Sequence, residues 1–341
     1  MSQDVCGIQA QVMSAAQMAL WARMHHLTRA DIHSALWKDR ALVKTSCMRG
    51  TLHLLPATDF SVYIRALKRS RMEALQRIMS KFGISPRDAD GMTQAVVAAL
   101  SDGPRTQGEL TAQIKPLVGK RLRRWMDLVW NVFKPALVEG HICYGPERGQ
   151  EVTFVRVDQW LPKQKEADEQ QAKQFLLRRY LRAYGPASPR DFSKWAGLPI
   201  REVTPVWESL DEEFVEVCVE GWKGSILRED CKNLSGAELA GPMLRLLPGF
   251  DPYLLGHAEK NHLVSERHYK RVYRNQGWIS PVVLLNGRVI GIWSYQRRGK
   301  KLSFEVELFH GLSKTLRARI EREAASLGDF FETSWEMKFR L

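Results

Sequence analysis

The sequence has few cysteines and no cysteine or histidine pattern typical of a metal site. Five cysteines, an odd number, form no CxxC pair, so we expect reduced, buried thiols and no disulfide framework. The nine histidines form no HExxH pair, and no metal is expected. The cysteines are Cys6, Cys47, Cys143, Cys218 and Cys231.

Long hydrophobic runs are also missing. No segment approaches the roughly 18–20 consecutive apolar residues that a membrane-spanning helix needs. The first residues, MSQDVCGIQAQ, lack a basic stretch followed by an apolar one, which is not typical of a signal peptide. With 44% hydrophobic and 26% charged residues, the composition is typical of globular proteins and excludes disorder as the main state. We therefore expect a cytoplasmic protein, and 341 residues predict two or three domains.

Acidic residues are in the minority. Lys and Arg number 51 against 38 Asp and Glu, for a net charge of +13. Such an excess favours a polyanionic partner, because each neutralised phosphate releases counterions, although it also serves solubility alone. Residues 267–301 contain no Asp or Glu at all. A solvated face normally mixes both signs, so this run predicts a nucleic-acid-binding surface.

One type of helix start is repeated along the chain. GPRTQGEL from Gly103 and GPASPRDF from Gly185 each place Ser or Thr three residues before a carboxylate. In that pattern the hydroxyl caps the first turn, and the carboxylate accepts a bond from the backbone of the capping residue. Each copy lies between helical stretches and is followed by a glycine-bounded β-hairpin. Helix, turn, helix and hairpin form a winged helix, so we predict tandem units of roughly 80 residues.

A looser third copy lies near the N-terminus. Thr28-x-x-Asp31 opens a helix, and a hairpin follows over 41–47 and 50–55. Residues 58–82 predict one long basic helix with an apolar stripe. Because residues 202–220 are acidic, we expect that the last of the repeated units does not place its recognition helix on DNA in the usual way.

The pattern changes to β-strands from about residue 240. Asn286-Gly287 is the strongest hairpin signal, and a second turn at 298–301 precedes a helix over 312–327 and a strand over 334–340. The predicted fold class is α+β, with tandem winged-helix units and a C-terminal β-rich domain. The predicted segments are 1–57 (partial first winged helix), 58–82 (linking helix), 83–160 (second winged helix), 161–238 (third winged helix) and 239–341 (β-rich domain).

Few residues suggest catalysis. The sequence has no Ser-His-Asp order with a glycine-bounded nucleophile, no phosphate-binding GxxxxGK[ST] and no carboxylate pair of distinctive spacing. The remaining candidate is GIQAQ, in which Gln9 and Gln11 precede an apolar helix. Two glutamines one residue apart point the same way on an extended segment. Taken alone, they are more typical of polar residues before a helix.

Several longer motifs resemble the AlkZ/YcaQ-like winged-helix DNA glycosylases. GIQAQ with SAAQMALWAR, KTSCMRGTLHLLPATD, YGPASPRDFSKWAGL, LRLLPGFDPYLLGH and RVYRNQGWISPVVLLNGRVIGIW match in order over almost the whole chain. The resemblance implies hydrolysis of the N-glycosidic bond of N7-alkylated purines, including the unhooking of interstrand crosslinks. It implies Gln9 and Gln11 as catalytic residues, as in the Gln-x-Gln branch. It also implies double-stranded DNA as partner and no cofactor.

Basic residues around these motifs are expected to hold the duplex. Arg49 and His53, in RGTLH, suit a phosphate contact and a structural role equally. The 297–301 turn suits a hairpin tip that probes a groove, or a merely solvated turn. For Asp251 we expect a turn cap rather than chemistry. The predicted DNA-binding residues are Lys44, Arg49, His53, Lys68, Arg69, Arg271, Arg297, Arg298, Lys300 and Lys301.

The chain departs from the family at its start, where six residues precede Gly7 and relatives carry about one more helix and turn. Either the start codon is misassigned or the first winged helix lacks a helix. In the second case we expect Met13, Met18, Leu20 and Trp21 to be partly exposed.

Two other functions stay open at this point. One is a non-catalytic winged-helix DNA-binding protein such as a transcriptional regulator, and the other is an inactive paralogue that still binds DNA. A regulator would not need the glutamine pair. No coiled-coil heptads are present, and we expect a monomer.

Overall fold

The computed structural model describes residues 1–128, 133–164, 167–237 and 241–340. The chain divides into two compact units. The terminal unit comprises Met1–Ile32, Leu181–Trp195 and Glu212–Leu341, and the central unit comprises His33–Tyr180 and Ala196–Asp211. Each unit is formed by segments that are distant in sequence, whereas each predicted domain is one continuous stretch of the chain. The predicted boundary at 238–239 lies outside the described residues.

The chain is a mixture of helices and strands, which confirms the predicted α+β class. In the described part of the chain, no helix is long and apolar enough to cross a membrane. The elements are β1 (Ile8–Gln9), α1 (Met13–Trp21), α2 (Arg29–Trp37), β2 (Leu42–Ser46), β3 (Leu52–Pro56), α3 (Phe60–Ser80), α4 (Pro86–Ala99), β4 (Arg105–Thr106), α5 (Gln107–Ile114), α6 (Lys120–Leu128), α7 (Lys134–Glu139), β5 (Ile142–Arg148), β6 (Glu151–Arg156), α8 (Val157–Trp160), α9 (Glu169–Tyr184), α10 (Pro189–Ala196), α11 (Ile200–Glu208), β7 (Phe214–Val219), β8 (Trp222–Leu227), α12 (Cys231–Ser235), β9 (Leu244–Leu247), α13 (Pro252–Leu255), α14 (Glu266–Val272), β10 (Val282–Leu285), β11 (Arg288–Arg298), β12 (Lys301–Leu308), α15 (Lys314–Phe330) and β13 (Ser334–Arg340).

The central unit contains the predicted long helix, which is α3, and two of the predicted hairpins, β2–β3 and β5–β6. Its strands lie in the order β3-β2-β5-β6-β4. Helix α5 starts with a capping box, in which the Thr106 hydroxyl accepts from the Glu109 amide and the Glu109 carboxylate accepts from the Thr106 amide. Helix α5 packs on β6, α7 packs on β5, and α4 packs on both helices, around a core that includes Phe133 and Phe154.

The terminal unit contains a five-stranded sheet in the order β13-β12-β11-β10-β9. The strands are antiparallel except for the parallel pair β12 and β13. Asn286 and Gly287 turn β10 into β11 with φ of +50° and +81°, as a type I′ hairpin requires. Helix α15 packs on β9 and β13. The predicted β-rich pattern of the C-terminal region is therefore confirmed.

The expected exposure of α1 is wrong for two of its four residues. Met18 and Leu20 are buried, whereas Met13 and Trp21 are only partly buried. Helix α15 covers α1 within the terminal unit, and the Trp21 ring lies 6.5 Å from the ring of Phe330. Packing against α15 thus covers part of α1.

The expected burial of the thiols is correct for three of the five cysteines. Cys6, Cys47 and Cys143 are buried, and burial raises the pKa of the Cys47 thiol to about 11. Cys218 is exposed and Cys231 is half-buried. Strand β7 alternates between a covered and an open face, and Cys218 lies on the open one.

Candidate active site

The two glutamines lie near the start of the terminal unit. Gly7 precedes them with φ of +85°, a conformation that glycine adopts without strain. Gln9 ends β1 and is 8% exposed, whereas Gln11 lies beyond the strand and is exposed. Side chains two residues apart point the same way only along a strand, and β1 ends at Gln9. The common direction expected for the two glutamines therefore does not extend to Gln11. The segment thus has one buried side-chain amide, that of Gln9, and one exposed side-chain amide, that of Gln11.

Hydrogen bonds hold the glutamine segment from both sides. On its N-terminal side, the Gly7 amide donates to the Ser2 carbonyl at 2.8 Å, and the Tyr184 hydroxyl donates to the Val5 carbonyl at 2.8 Å. On its C-terminal side, the Tyr295 hydroxyl lies 3.3 Å from the Ser14 hydroxyl. These contacts fix the backbone on which Gln9 and Gln11 stand.

A buried ion pair holds the far end of α1. The Arg23 guanidinium donates to both oxygens of Asp251, at 2.8 and 2.6 Å, and Asp251 is fully buried. The same carboxylate accepts from the Tyr253 amide at 2.9 Å, so it caps α13 as predicted. Burial lowers the pKa of Arg23, but the Asp251 carboxylate outweighs it and raises the pKa overall. The partnership with Arg23 was not predicted from the sequence.

In the central unit, Arg49 occupies a tight turn between β2 and β3. Its φ is +55°, in the left-handed region that favours glycine. A Cβ at Gly197 would lie 2.9 Å from the backbone nitrogen and Cα of Arg49, so only glycine permits this close approach. The backbone of the Arg49 turn therefore packs directly against Gly197, in the loop between α10 and α11.

His53 is buried beside Arg49. Its Nδ1 lies 3.1 Å from the Thr51 carbonyl, and its Nε2 lies 3.4 Å from the Arg49 guanidinium. Burial, and then the charge of Arg49, hold the pKa of His53 well below its ordinary value. In the neutral ring, Nδ1–H donates to Thr51, which leaves Nε2 to accept from Arg49. At 2% exposure, His53 positions Arg49 rather than presenting a charge to DNA.

The neutral state of His53 makes stability depend on pH. The unfolded chain takes up a proton near pH 6.5, whereas folded His53 does not, so its stabilising contribution is complete above that pH and declines below it. We expect the unfolding free energy to fall below pH 6.5 by up to about 1.4 kcal/mol per pH unit from this group. In His53→Gln the unfolding free energy should fall less steeply with decreasing pH, by that amount. The measurement is urea unfolding of both proteins at pH 7.5, 6.5 and 5.5. Parallel slopes in the two proteins would contradict this expectation.

Two predicted DNA-binding cations of the central unit have partners within the protein. Lys44 is only 7% exposed, and its ammonium lies 5.5 Å from the centre of the Tyr144 ring. Burial lowers the pKa of Lys44, which is unfavourable for a phosphate contact. Arg69 is exposed but pairs with Glu169 at 3.2 Å and Glu202 at 3.4 Å. Lys68 is half-buried on the same helix, α3.

The acidic start of α11 is bonded within the central unit. Glu202 accepts from the Ser70 hydroxyl at 2.5 Å and from the Lys173 ammonium at 2.8 Å. Burial raises the pKa of Glu202, but these donors outweigh it and lower the pKa overall. The helix is thereby attached to α3, and its expected absence from the usual reading of DNA stays a prediction.

The basic run of the terminal unit is partly neutralised. Arg271 pairs with Glu307 and lies over the Phe309 ring at 4.7 Å, and Lys301 pairs with Glu336 at 2.7 Å. In the part of the chain that the structure describes, no group of three or more metal-ligating side chains is present. Arg297, Arg298 and Lys300 are exposed at the turn between β11 and β12.

Comparisons with known proteins agree with the motifs. The family model for AlkZ-like DNA glycosylases matches residues 3–330. The chain is 34% identical over 308 residues to an interstrand DNA cross-link repair glycosylase of Streptomyces sahachiroi, covering 85% of this chain and 80% of that one. It also resembles the solved structure of the Streptomyces sahachiroi DNA glycosylase AlkZ with a TM-score of 0.85, at 29% identity over 99% of this chain and 92% of that chain. The resemblance predicted from the sequence is thus confirmed, and the chain belongs to the AlkZ-like DNA glycosylase family.

Proposed function

We propose that this glycosylase hydrolyses the N-glycosidic bond of N7-alkylated purines in double-stranded DNA, including purines joined in interstrand crosslinks. The observation that carries the proposal is the Gln9-x-Gln11 pair, held on an anchored segment inside the 3–330 family match. The crosslink is proposed because a relative 34% identical to this chain is named for interstrand cross-link repair. No cofactor is needed for this hydrolysis.

The chemistry of the lesion explains why two glutamines are enough. A purine alkylated at N7 already carries positive charge, so it departs without a proton from a general acid. The transition state resembles an oxocarbenium ion. A glutamine is no general base near pH 7, but its carbonyl accepts a hydrogen bond from water and its dipole stabilises a nearby cation. In our proposal exposed Gln11 meets the DNA, and buried Gln9 completes the binding of the attacking water.

For DNA binding we propose the exposed cations of the predicted set. Arg297, Arg298 and Lys300 are exposed at one turn, and a hairpin tip of this kind fits a groove of the duplex. In the central unit we propose Arg49, held by His53, as a phosphate contact. Lys44 and His53 support the fold rather than the duplex, because both are buried.

The proposal includes tandem winged helices over 1–57, 83–160 and 161–238, joined by the 58–82 helix and followed by the 239–341 β-rich domain. The helices α4, α5, α6 and α7 are followed by the hairpin β5–β6, and the helices α9, α10 and α11 are followed by the hairpin β7–β8. Both orders support the proposal. Ser188 and Asp191 cap α10 just as Thr106 and Glu109 cap α5. We place the enzyme in the cytoplasm as a monomer that joins the nucleoid when bound to DNA.

The test is a duplex with a single N7-methylguanine, incubated with the protein and then heated in alkali. We expect strand cleavage at the lesion and none in the unmodified duplex, because neutral guanine is a poor leaving group. Binding to both duplexes without an alkali-labile site would instead support the non-catalytic DNA-binding protein. Crosslinked duplex is the next substrate, with release of single strands as the readout.

A further inference from the structure

Trp278 is exposed to an extent that is unusual for its size. It is 51% exposed, and every residue of the 274–278 loop around it is exposed as well. Indole is a large apolar ring that usually gains free energy from burial. Trp is enriched where a protein binds another molecule, because a covered indole ring gains free energy.

The 274–278 loop holds Trp278 in a fixed position. Gln276 and Gly277 both have positive φ, +59° and +74°, and the Arg274 amide donates to the Trp278 carbonyl at 2.8 Å. The ring of Phe250 braces the indole edge-to-face at 5.2 Å. About half of the surface of Trp278 is covered by the protein, and the other half is open to a ligand.

The surroundings of Trp278 indicate a nucleic acid as that ligand. Arg274 and Lys270 are exposed. The 267–301 run that contains them has no carboxylate of its own, and Glu307, which β12 brings to this run, pairs with Arg271. Tyr269 on α14 is also exposed, at 40%, and stacks on Tyr273 with ring centres 5.0 Å apart. Cations beside exposed aromatic rings are typical of surfaces that bind single-stranded nucleic acid, where bases stack on the rings and phosphates meet the cations.

We propose that Trp278 stacks on an unpaired base of the DNA, while Arg274 and Lys270 bind flanking phosphates. Paired bases show a protein only their edges, so a ring face is useful only where a base has left the helix. The inference deepens the proposed function, on which it rests for the choice of DNA as ligand.

The experiment measures fluorescence anisotropy of a labelled oligonucleotide, as a single strand and as a blunt duplex of the same sequence. We expect Trp278→Ala to weaken binding of the single strand about 5- to 100-fold and binding of the duplex less than twofold. Trp278→Phe should restore most of the affinity, whereas Trp278→Leu, which fills the space without a ring, should not. Phe82→Ala, which removes an exposed aromatic ring of the central unit, is the control and should leave both affinities unchanged.

Equal losses for single strand and duplex would overturn the proposal, and so would a Trp278→Leu protein that binds the single strand like Trp278→Phe. Because the readout is binding, it is independent of cleavage at N7-methylguanine. A protein that never cleaves would refute the proposed reaction without touching this result, and a cleaving protein insensitive to Trp278 would refute only the stacking.

Discussion

A Gln11→Ala enzyme is expected to release N7-methylguanine at least about 100-fold more slowly than the wild type, with duplex affinity within twofold. Gln11 is exposed at the start of α1, so its removal leaves the core intact. The amide carbonyl that would orient the water and stabilise the oxocarbenium ion is lost, while the cationic base remains a good leaving group. The measurement is a single-turnover time course with enzyme in excess, so that product release does not limit the rate.

The controls for this result come from the same segment. Gln9→Ala should also slow the reaction about 100-fold, since both amides hold the water. Gln17→Ala removes a half-buried amide of α1 outside the motif and should leave the rate unchanged. Gln11→Asp, which replaces the amide by a carboxylate, should retain activity because a carboxylate also accepts from water. Full activity in both Gln9→Ala and Gln11→Ala would refute the assigned roles.

The elements that the sequence predicts best are those formed by neighbouring residues. Asn286 and Gly287 adopt positive φ with little strain, so their order along the chain determines the hairpin. The capping box of Thr106 and Glu109 lies within four residues, and its hydrogen bonds form as predicted. The glutamine motif is equally local, but residue order alone did not assign it a role, and the catalytic interpretation came from the resemblance of the longer motifs.

Burial and ion pairing depend on contacts between distant parts of the chain and could not be predicted this way. From the net charge alone, Lys44 is expected to be a surface cation, but strand β2 places it against the core. The 267–301 run has no carboxylate of its own, but β12 and β13 bring Glu307 to Arg271 and Glu336 to Lys301. The run is thus less positive than its sequence implies, and for this reason our proposal places the DNA contact at the exposed cations of the β11–β12 turn.

Asp251→Asn is expected to cost about 3–5 kcal/mol of unfolding free energy. Asp251 is fully buried, and the Arg23 side chain is only 21% exposed. Removal of the carboxylate charge leaves a guanidinium that is largely removed from water without its partner, and that desolvation is the main part of the cost. The pair could not be predicted from a local motif, because Arg23 and Asp251 lie 228 positions apart in the sequence. The measurement is urea unfolding of the full chain near pH 7.

Two further variants separate the buried charge from the loss of a hydrogen bond. Adding Arg23→Met to Asp251→Asn should recover part of the stability, because no unpaired charge then remains in the interior. Glu220→Gln breaks an exposed pair with Arg288 at 2.8 Å and should cost less than about 1 kcal/mol. Equal costs for Asp251→Asn and Glu220→Gln would mean that burial of Arg23 does not determine the effect. A large cost confined to Asp251→Asn would show that the buried pair stabilises the terminal unit, in which α1 and the glutamine segment lie.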